Sequence, residues 1–208
     1  MAEAPGARAV TRRRLRIWAT LCSATGVLAL ALPLWMDPHP RFLWNASASV
    51  PIGLYRLTPD SHPARGALVV ILPPPALGRF MAERHYLPLG LPMVKQLAAR
   101  AGDKVCRHGA VVTVNGVPRA VARLTDTQGR TLPVWRGCRI VQSDEFFLLT
   151  AAPDSLDSRY FGPVPAAGLR GRATALLTRD APNAPLQWRL RCIRDVLSPP
   201  GQGELSCK

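Results

Sequence analysis

Short apolar runs separated by turn residues follow one another through most of the chain. They lie at residues 67–72, 93–98, 135–142, 145–150 and 171–178. Their length and their β-branched content are typical of strands. Asn115-Gly116 stands between two valine-rich arms and predicts a two-residue hairpin turn. Since few stretches show a helical period, we expect a mostly β, antiparallel domain, with a loop or short helix at 76–91 and a peripheral tail from Asp180.

One apolar run near the N-terminus is much longer than the others. Residues 17–36 carry no charge over twenty positions, which is long enough for a helix to cross a hydrocarbon core of ~30 Å. Arginines precede the run and Asp37 follows it, so we expect the N-terminus inside and the remainder outside. The chain is therefore predicted to have a basic, disordered cytoplasmic segment at 1–16, a transmembrane anchor at 17–36 and an external domain at 37–208.

A cleavable signal peptide is the alternative interpretation of the long apolar run. Ala29-Leu30-Ala31 has the small-x-small form of a cleavage site. The apolar run continues beyond this site as far as Met36, which favours a retained anchor.

The chain is basic, with 27 lysines and arginines against 13 aspartates and glutamates. Such a surplus raises the question of a nucleic-acid partner, but the sequence contains no evident module that combines aromatic and basic residues. No nucleic-acid partner is therefore expected. The basic residues are nearly all arginine, since the only lysines are Lys95, Lys104 and Lys208.

The segment at 45–55, NASASVPIGLY, includes Ser47 and Ser49 among its small polar residues. Pro51 restricts the backbone here, and Gly53 permits a turn that other residues resist. A serine on such a backbone can point its hydroxyl out of the fold, but it needs a neighbouring base to act as a nucleophile. Ser49 is thus a candidate nucleophile if the chain supplies that base.

Lys95 is the candidate base, because it lies in an apolar segment of a chain that otherwise uses arginine. A guanidinium effectively never loses its proton, whereas a buried ammonium can. Full burial is able to move a lysine pKa from about 10.4 to near 7. The alternative is a lysine whose stem packs on the sheet while its amine reaches water. Lys104, after a Gly-Asp turn, and the terminal Lys208 are expected to be solvated.

A histidine base is the usual alternative in a serine hydrolase. The four histidines lie in loop-like surroundings rich in Pro, Gly or Arg, at His39, His62, His85 and His108. The chain also lacks a Gly-x-Ser-x-Gly sequence. A Ser-His-Asp triad is therefore not favoured.

Residues 154–162, DSLDSRYFG, place carboxylates and hydroxyls around one arginine. An Asp157–Arg159 ion pair would fix this segment beside a buried amine, and a serine hydroxyl would orient that amine. The alternative is a surface loop rich in Asx turns.

Four cysteines follow the long apolar run: Cys106, Cys138, Cys192 and Cys207. An even number outside the cytosol suggests two disulfides with three possible pairings. Proximity along the chain favours Cys106–Cys138 and Cys192–Cys207. A zinc site at Cys106, His108 and Cys138 lacks the usual paired-ligand spacing, so neither a metal nor a cofactor is expected.

Four blocks of the sequence, taken in order, resemble the type I signal peptidases. They are the apolar run, SASVPIGLY at 47–55, VKQLAARAGDKV at 94–105 and DSLDSRYFGPVP at 154–165. One such block alone is a weak signal, whereas all four in order are specific. General signal peptidases carry Ser-Met-x-Pro at the nucleophile. The Ser-Val-Pro found here is similar to the TraF-type maturation peptidases of conjugative transfer.

The resemblance implies a Ser-Lys dyad, with Ser49 as the nucleophile and Lys95 as the general base. It also implies that the hydroxyl of Ser47 joins the backbone N–H of Ser49 in an oxyanion hole. Two such donors contribute a few kcal/mol of transition-state stabilisation.

Three further residues match the last block of the family. Ser155 corresponds to the serine that orients the lysine, and Asp157 and Arg159 correspond to a structural ion pair. The implied fold is an antiparallel, signal-peptidase-like β ectodomain behind one N-terminal transmembrane helix. The implied location is the bacterial inner membrane, with a single pass and the catalytic domain in the periplasm.

The function implied by the resemblance is serine endopeptidase processing of a pilin or another membrane-inserted precursor. Inner-membrane lipid and other proteins of the conjugation apparatus are the further expected partners. Water, or the amino terminus of the precursor itself, would resolve the acyl-enzyme, giving a linear or a cyclic product. The alternative is a non-catalytic, membrane-anchored assembly factor of the same apparatus.

Overall fold

The computed structural model of the chain describes residues 5–35, 41–189, 192–194 and 205–207. The chain divides into two compact units, Met1–Pro40 and Arg41–Lys208. Met36 at the end of the predicted anchor, His39 and Lys208 lie outside the described residues.

A single helix, α1 (Pro5–Trp35), forms the described part of the first unit. For residues 5–16 it corrects the prediction of disorder, because they continue the helix without a break. Arginine, which fills five of these twelve positions, is a strong helix former. Across the part of the chain that the structure describes, no helix combines the length and the apolarity needed to span a membrane.

The regular elements described in the second unit are mainly strands. In chain order these are β1 (Phe42–Asn45), β2 (Ile52–Thr58), β3 (Leu68–Ile71), β4 (Met93–Ala99), β5 (Lys104–His108), β6 (Val111–Val114), β7 (Val117–Val121), β8 (Gly137–Ile140), β9 (Glu145–Leu149), β10 (Val164–Pro165), β11 (Leu169–Arg179), β12 (Gln187–Trp188), β13 (Cys192–Arg194) and β14 (Leu205–Cys207). Two short α-helices, α2 (Pro75–Glu83) and α3 (Ser158–Phe161), and a 3₁₀ turn at Ala166–Gly168 lie between them.

The larger sheet follows the order β1-β2-β11-β3-β4-β9-β10, with β12 attached to β11. All of its pairings are antiparallel. This sheet confirms the prediction of a mostly β, antiparallel domain.

The larger sheet is covered on both faces around β3 and β4. Val69 and Met93 pack in one buried cluster, while Val70 and Val94 pack in another. Successive residues of a strand point to opposite faces, so the two clusters lie on opposite sides of the sheet. For this reason β4 is buried at every residue.

The smaller sheet follows the order β7-β6-β5-β8. Its hairpin turns at Asn115 and Gly116, which both have positive φ, as the Asn-Gly pair predicts. Val105 and Val112 from this sheet pack with Phe147 of β9 in a shared buried cluster. That cluster joins the two sheets into one core.

The predicted strands correspond to β3, β4, β6–β7, β8, β9 and β11, although β8 is shorter than predicted and β11 is longer. Strands β1, β2 and β5 were not predicted, and neither were the short strands β10, β12, β13 and β14. Pro51 and Gly53 suggested a turn where β2 begins, and Lys104 and His108 gave β5 polar ends.

Candidate active site

Lys95 lies in the middle of β4, and only 5% of its surface is exposed. Its Nζ donates a hydrogen bond to Ser155 Oγ at 2.6 Å. Burial lowers the pKa of Lys95 from 10.5 to about 8; the charge of Asp157 acts in the opposite direction, and that of Arg159 in the same direction as burial. The alternative in which this amine reaches water is wrong, because β4 is covered on both faces.

Asp157 and Arg159 form a buried, bidentate ion pair at the start of α3. Arg159 Nε lies 2.8 Å from Asp157 Oδ1, and Arg159 Nη2 lies 2.9 Å from Asp157 Oδ2. Asp157 also accepts the backbone N–H groups of Arg159 and Thr150, so it caps the helix and ties it to the end of β9. The alternative of a surface loop is wrong for this segment, since Ser155, Asp157 and Arg159 are all buried.

Buried groups outside the predicted site hold α3 in place. Ser158 Oγ accepts the backbone N–H of Leu148 in β9. Arg107 of β5 is only 1% exposed and donates from Nη1 to the carbonyl of Arg159 at 2.7 Å. Burial lowers the pKa of Arg107. In a chain this rich in arginine, no signal in the sequence distinguishes Arg107 from the arginines at the surface.

Ser49 lies in the turn between β1 and β2, where it is partly exposed. Its Oγ is 3.1 Å from Ser47 Oγ. The buried Tyr55 donates from Oη to the carbonyl of Pro51 at 2.6 Å. Gly53 is pressed so closely against β11 that an added Cβ would lie 2.1 Å from the carbonyl oxygen of Leu177. Contacts with the sheet therefore fix the backbone that follows Ser49.

Asn45, the last residue of β1, also holds this turn and was not predicted as a site residue. It is 7% exposed. Its Nδ2 donates to the carbonyl of Ser47 at 2.8 Å, and its Oδ1 accepts from the backbone N–H of Ser47 at 3.2 Å. The available signal in the sequence was an asparagine two residues before Ser47, because Asn side chains commonly form hydrogen bonds with the backbone two residues further along.

In the structure the predicted site residues form two hydrogen-bonded pairs and one ion pair. Ser47 contacts Ser49, and Lys95 contacts Ser155, with the Asp157–Arg159 pair close enough to affect the charge of Lys95. Within residues 41–189 no hydrogen bond joins Ser49 to Lys95.

The segments that carry the two candidate dyad residues nevertheless meet in one core. Val50 and Val94, the immediate neighbours of Ser49 and Lys95, belong to the same buried cluster. The site thus combines a hydroxyl on a rigid turn with an amine that is largely neutral at mildly alkaline pH. Those two groups are the components of an activated serine nucleophile.

Comparison with known proteins identifies the family. The family model described as signal peptidase, peptidase S26, matches residues 14–178. The chain belongs to the peptidase S26 family of signal peptidases. The matched range of this signal peptidase family member includes the turn with Ser49, strand β4 with Lys95 and the start of α3 with Asp157.

Relatives of this signal peptidase family member are conjugal transfer proteins. A probable conjugal transfer protein TraF of Sinorhizobium fredii is 41% identical over 144 residues, which cover 64% of this chain and 76% of the relative. A conjugal transfer protein TraF of Agrobacterium fabrum is 33% identical over 147 residues, which cover 65% of this chain and 82% of the relative.

A crystal structure of a signal peptidase I from Enterococcus faecalis is also similar. It shares 20% sequence identity and has a TM-score of 0.35, covering 56% of this chain and 100% of that one. This degree of overlap is too low to support a conclusion beyond the sequence matches.

The cysteines of the signal peptidase domain lie where strands pair. Cys106 and Cys138 are directly opposite each other on β5 and β8 and form a disulfide. His108 Nε2 is 3.6 Å from Cys138 Sγ, and the three candidate ligand atoms lie within 4.8 Å of one another. Strand pairing thus places Cys106, His108 and Cys138 close together, although their spacing in the sequence is not that of a metal site. Both sulfurs, however, are bonded to each other in the disulfide.

The other predicted pairing involves β13 and β14. The backbone register of these two strands sets Cys192 opposite Cys207, and the disulfide between them stays a prediction.

Two of the described histidines form side-chain hydrogen bonds with residues other than Ser49: His62 contacts Ser61, and His108 contacts Cys138. Within residues 41–189 no histidine forms a hydrogen bond with Ser49.

Proposed function

We propose that this signal peptidase family member is a membrane-anchored serine endopeptidase that uses a Ser-Lys dyad to process precursor proteins in conjugative transfer. One observation carries the proposal: the amine of Lys95 is buried in β4, bonded to Ser155, and has its pKa lowered to about 8. An ordinary structural lysine keeps its amine in water. A desolvated amine with a pKa near the operating pH is what a general base requires.

In the proposed reaction, Ser49 Oγ attacks the carbonyl carbon of the scissile peptide bond while its proton passes to Lys95 Nζ. The protonated amine then returns that proton to the leaving nitrogen, and an ester forms between Ser49 and the new carboxyl-terminal residue. A second acceptor, activated in turn by the neutral amine, displaces Ser49. The hydrogen bond from Ser49 to Lys95 would form in the substrate complex, as catalytic hydrogen bonds often do.

The remaining predicted residues support that reaction. Ser155 would hold the amine in one orientation, and the Asp157–Arg159 pair would keep the Ser155 hydroxyl aligned with the Lys95 amine. The hydroxyl of Ser47 and the backbone N–H of Ser49 would donate to the oxyanion. Donors placed in this way typically accelerate such reactions by about 10²–10³-fold.

The proposed substrates are pilin or signal-peptide-like precursors held in the membrane. The TraF relatives support a role in conjugal transfer. The acceptor that resolves the ester would be water or the precursor's own amino group, giving a linear or a cyclic product. Other proteins of the conjugation apparatus and inner-membrane lipid are the proposed partners.

A membrane anchor and a periplasmic catalytic domain complete the proposal. The twenty uncharged residues at 17–36 and the arginines before them support it. Alkaline phosphatase fused after Lys208 should be active, since this enzyme matures outside the cytosol. A fusion active only with a cytoplasmic reporter would contradict this orientation.

The catalytic proposal is tested by co-expressing the chain with a candidate pilin precursor and measuring product masses. The wild type should shorten the precursor, whereas Ser49→Ala and Lys95→Arg should leave it intact while remaining in the membrane. Arginine preserves the charge at position 95 but cannot act as a base. His62→Ala, at an exposed position, should process normally and serves as the control.

The masses also separate the possible outcomes. A linear product would indicate hydrolysis, and a product lighter by one water would indicate cyclisation. Continued processing by both Ser49→Ala and Lys95→Arg would contradict the dyad and favour the non-catalytic assembly factor.

A further inference from the structure

The side-chain amide of Asn45 contacts the turn that carries Ser49 at several points. Its Nδ2 lies 2.8 Å from the carbonyl oxygen of Ser47, 3.2 Å from that of Val50 and 3.1 Å from that of Pro51. Its Oδ1 lies 3.2 Å from the backbone nitrogen and 3.1 Å from Oγ of Ser47. One buried side chain therefore connects both ends of the turn.

The surroundings of Asn45 determine which way its amide points. Three carbonyl oxygens, which only accept hydrogen bonds, surround Nδ2, and donors of Ser47 surround Oδ1. Exchanging the oxygen and the nitrogen would set Oδ1 against three other oxygens. The orientation with Nδ2 towards the carbonyls is thus the one that satisfies the contacts.

This orientation of Asn45 also sets the direction of two hydroxyl hydrogens. Oδ1 cannot donate, so the single hydroxyl hydrogen of Ser47 points to it. Ser47 Oγ is then the acceptor for the hydroxyl of Ser49 at 3.1 Å. The hydrogen-bond chain runs from Ser49 to Ser47 to Asn45.

We propose that Asn45 is a positioning residue for the serine nucleophile. Its amide holds the Ser47–Pro51 turn in shape and keeps the Ser47 hydroxyl beside Ser49 Oγ, ready to rotate from Oδ1 towards a developing oxyanion. Asn45 acts through Ser47 and does not touch the substrate. The inference rests on the proposed function, since it assigns Ser49 as the nucleophile.

Steady-state kinetics of the full-length protein in detergent test the inference. The probe is a quenched-fluorescence peptide with alanine at the first and third positions before the scissile bond. Asn45→Ala should lower kcat by about 10–100-fold, because small misplacements of a reacting group cost rates of this order. KM should change less than about threefold, since the substrate does not contact Asn45.

A double-mutant cycle separates positioning from general structural damage. If Asn45 acts through the Ser47 hydroxyl, the kcat losses of Asn45→Ala and Ser47→Ala should not multiply in the double variant. Losses that multiply in full would contradict that route.

Asn115→Ala is the matched control. Asn115 also joins side chain to backbone, accepting the N–H of Lys104 at 2.9 Å, but it lies in the hairpin of the smaller sheet. Its positive φ makes alanine strained there, so this variant should lose stability while keeping the wild-type kcat. Asn45→Ser, a neutral polar residue too short to reach the carbonyls of Val50 and Pro51, replaces Asn45→Ala if that variant does not fold. It should lower kcat at least about tenfold.

The failures are distinguishable in the same assay. Activity that depends on Ser49 and Lys95 but is unchanged within twofold in the folded Asn45 variants would overturn the positioning role alone. A wild type with no peptidase activity would overturn both the proposed function and this inference.

Discussion

Lys95 is held in β4 with its amine bonded to Ser155 and away from water. A solvated lysine is protonated at neutral pH, so it has no lone pair with which to accept the proton of a serine. Burial in β4 lowers the pKa of Lys95 to about 8, and the same burial has a consequence for stability.

The pH dependence of unfolding should report the burial of Lys95. The folded pKa is about 8 against 10.5 in water, so between these values the unfolded chain binds a proton that the folded chain lacks. The free energy of unfolding therefore rises with pH across this window. Below about pH 8 the burial of the charge costs about 3 kcal/mol.

Lys95→Met should accordingly stabilise the protein at pH 7, despite the loss of the hydrogen bond to Ser155, and should abolish activity. Denaturant unfolding between pH 7 and 10.5 measures the free energy of unfolding of both proteins, and its rise with pH should disappear in Lys95→Met. Lys104→Met, at an exposed position, should retain the wild-type rise. An unchanged pH dependence in Lys95→Met would argue that the amine is not desolvated.

At the scale of elements, α3 and the end of β9 depend on the buried Asp157–Arg159 pair. Asp157→Asn removes the charge that faces the Arg159 guanidinium, which is 3% exposed. An uncompensated buried charge typically costs about 3–5 kcal/mol, so we expect a loss of this size in urea unfolding.

Asp180→Asn is the control for that loss. Asp180 pairs with Arg189 at 2.6 Å but is 67% exposed, and pairs of this kind contribute about 0–1 kcal/mol. Equal losses in the two variants would show that the buried pair does not anchor α3.

The Cys106–Cys138 disulfide joins β5 to β8 over a separation of 32 residues. Replacing both cysteines with serine should lower the free energy of unfolding by about 2–4 kcal/mol, because the unfolded chain gains freedom. Thermal unfolding of the oxidised wild type and the variant measures this. Cys22→Ser, which changes a free and exposed cysteine, should have no effect, and an unchanged midpoint in the double variant would contradict a stabilising disulfide.

At the scale of the whole molecule, the predictable elements were those specified by local chemistry. The hairpin at Asn115-Gly116 follows from the positive φ that these residues tolerate. Strand β4 follows from a short apolar run, and its burial on both faces agrees with the desolvated Lys95. The Ser47–Ser49, Lys95–Ser155 and Asp157–Arg159 contacts involve residues that the sequence had already singled out.

The unpredicted features depend on contacts between distant segments. Arg107 is buried where its guanidinium bonds to the carbonyl of Arg159 in α3, and no local pattern encodes that contact. Gly53 lies in a strand and not in a turn, since its function is to let Leu177 come close. Asn45 looked like part of a polar loop, and only the folded turn shows that its amide reaches Pro51.

The pH dependence of kcat/KM for peptide cleavage tests whether Lys95 is the base for Ser49. The logarithm of kcat/KM should rise by about one per pH unit below the pKa of Lys95 and level off above about pH 8. Lys95→Arg should show no activity at any pH in this range. A profile that is flat from pH 6 to 9 with chemistry rate-limiting, or an active Lys95→Arg variant, would show that Lys95 is not the base.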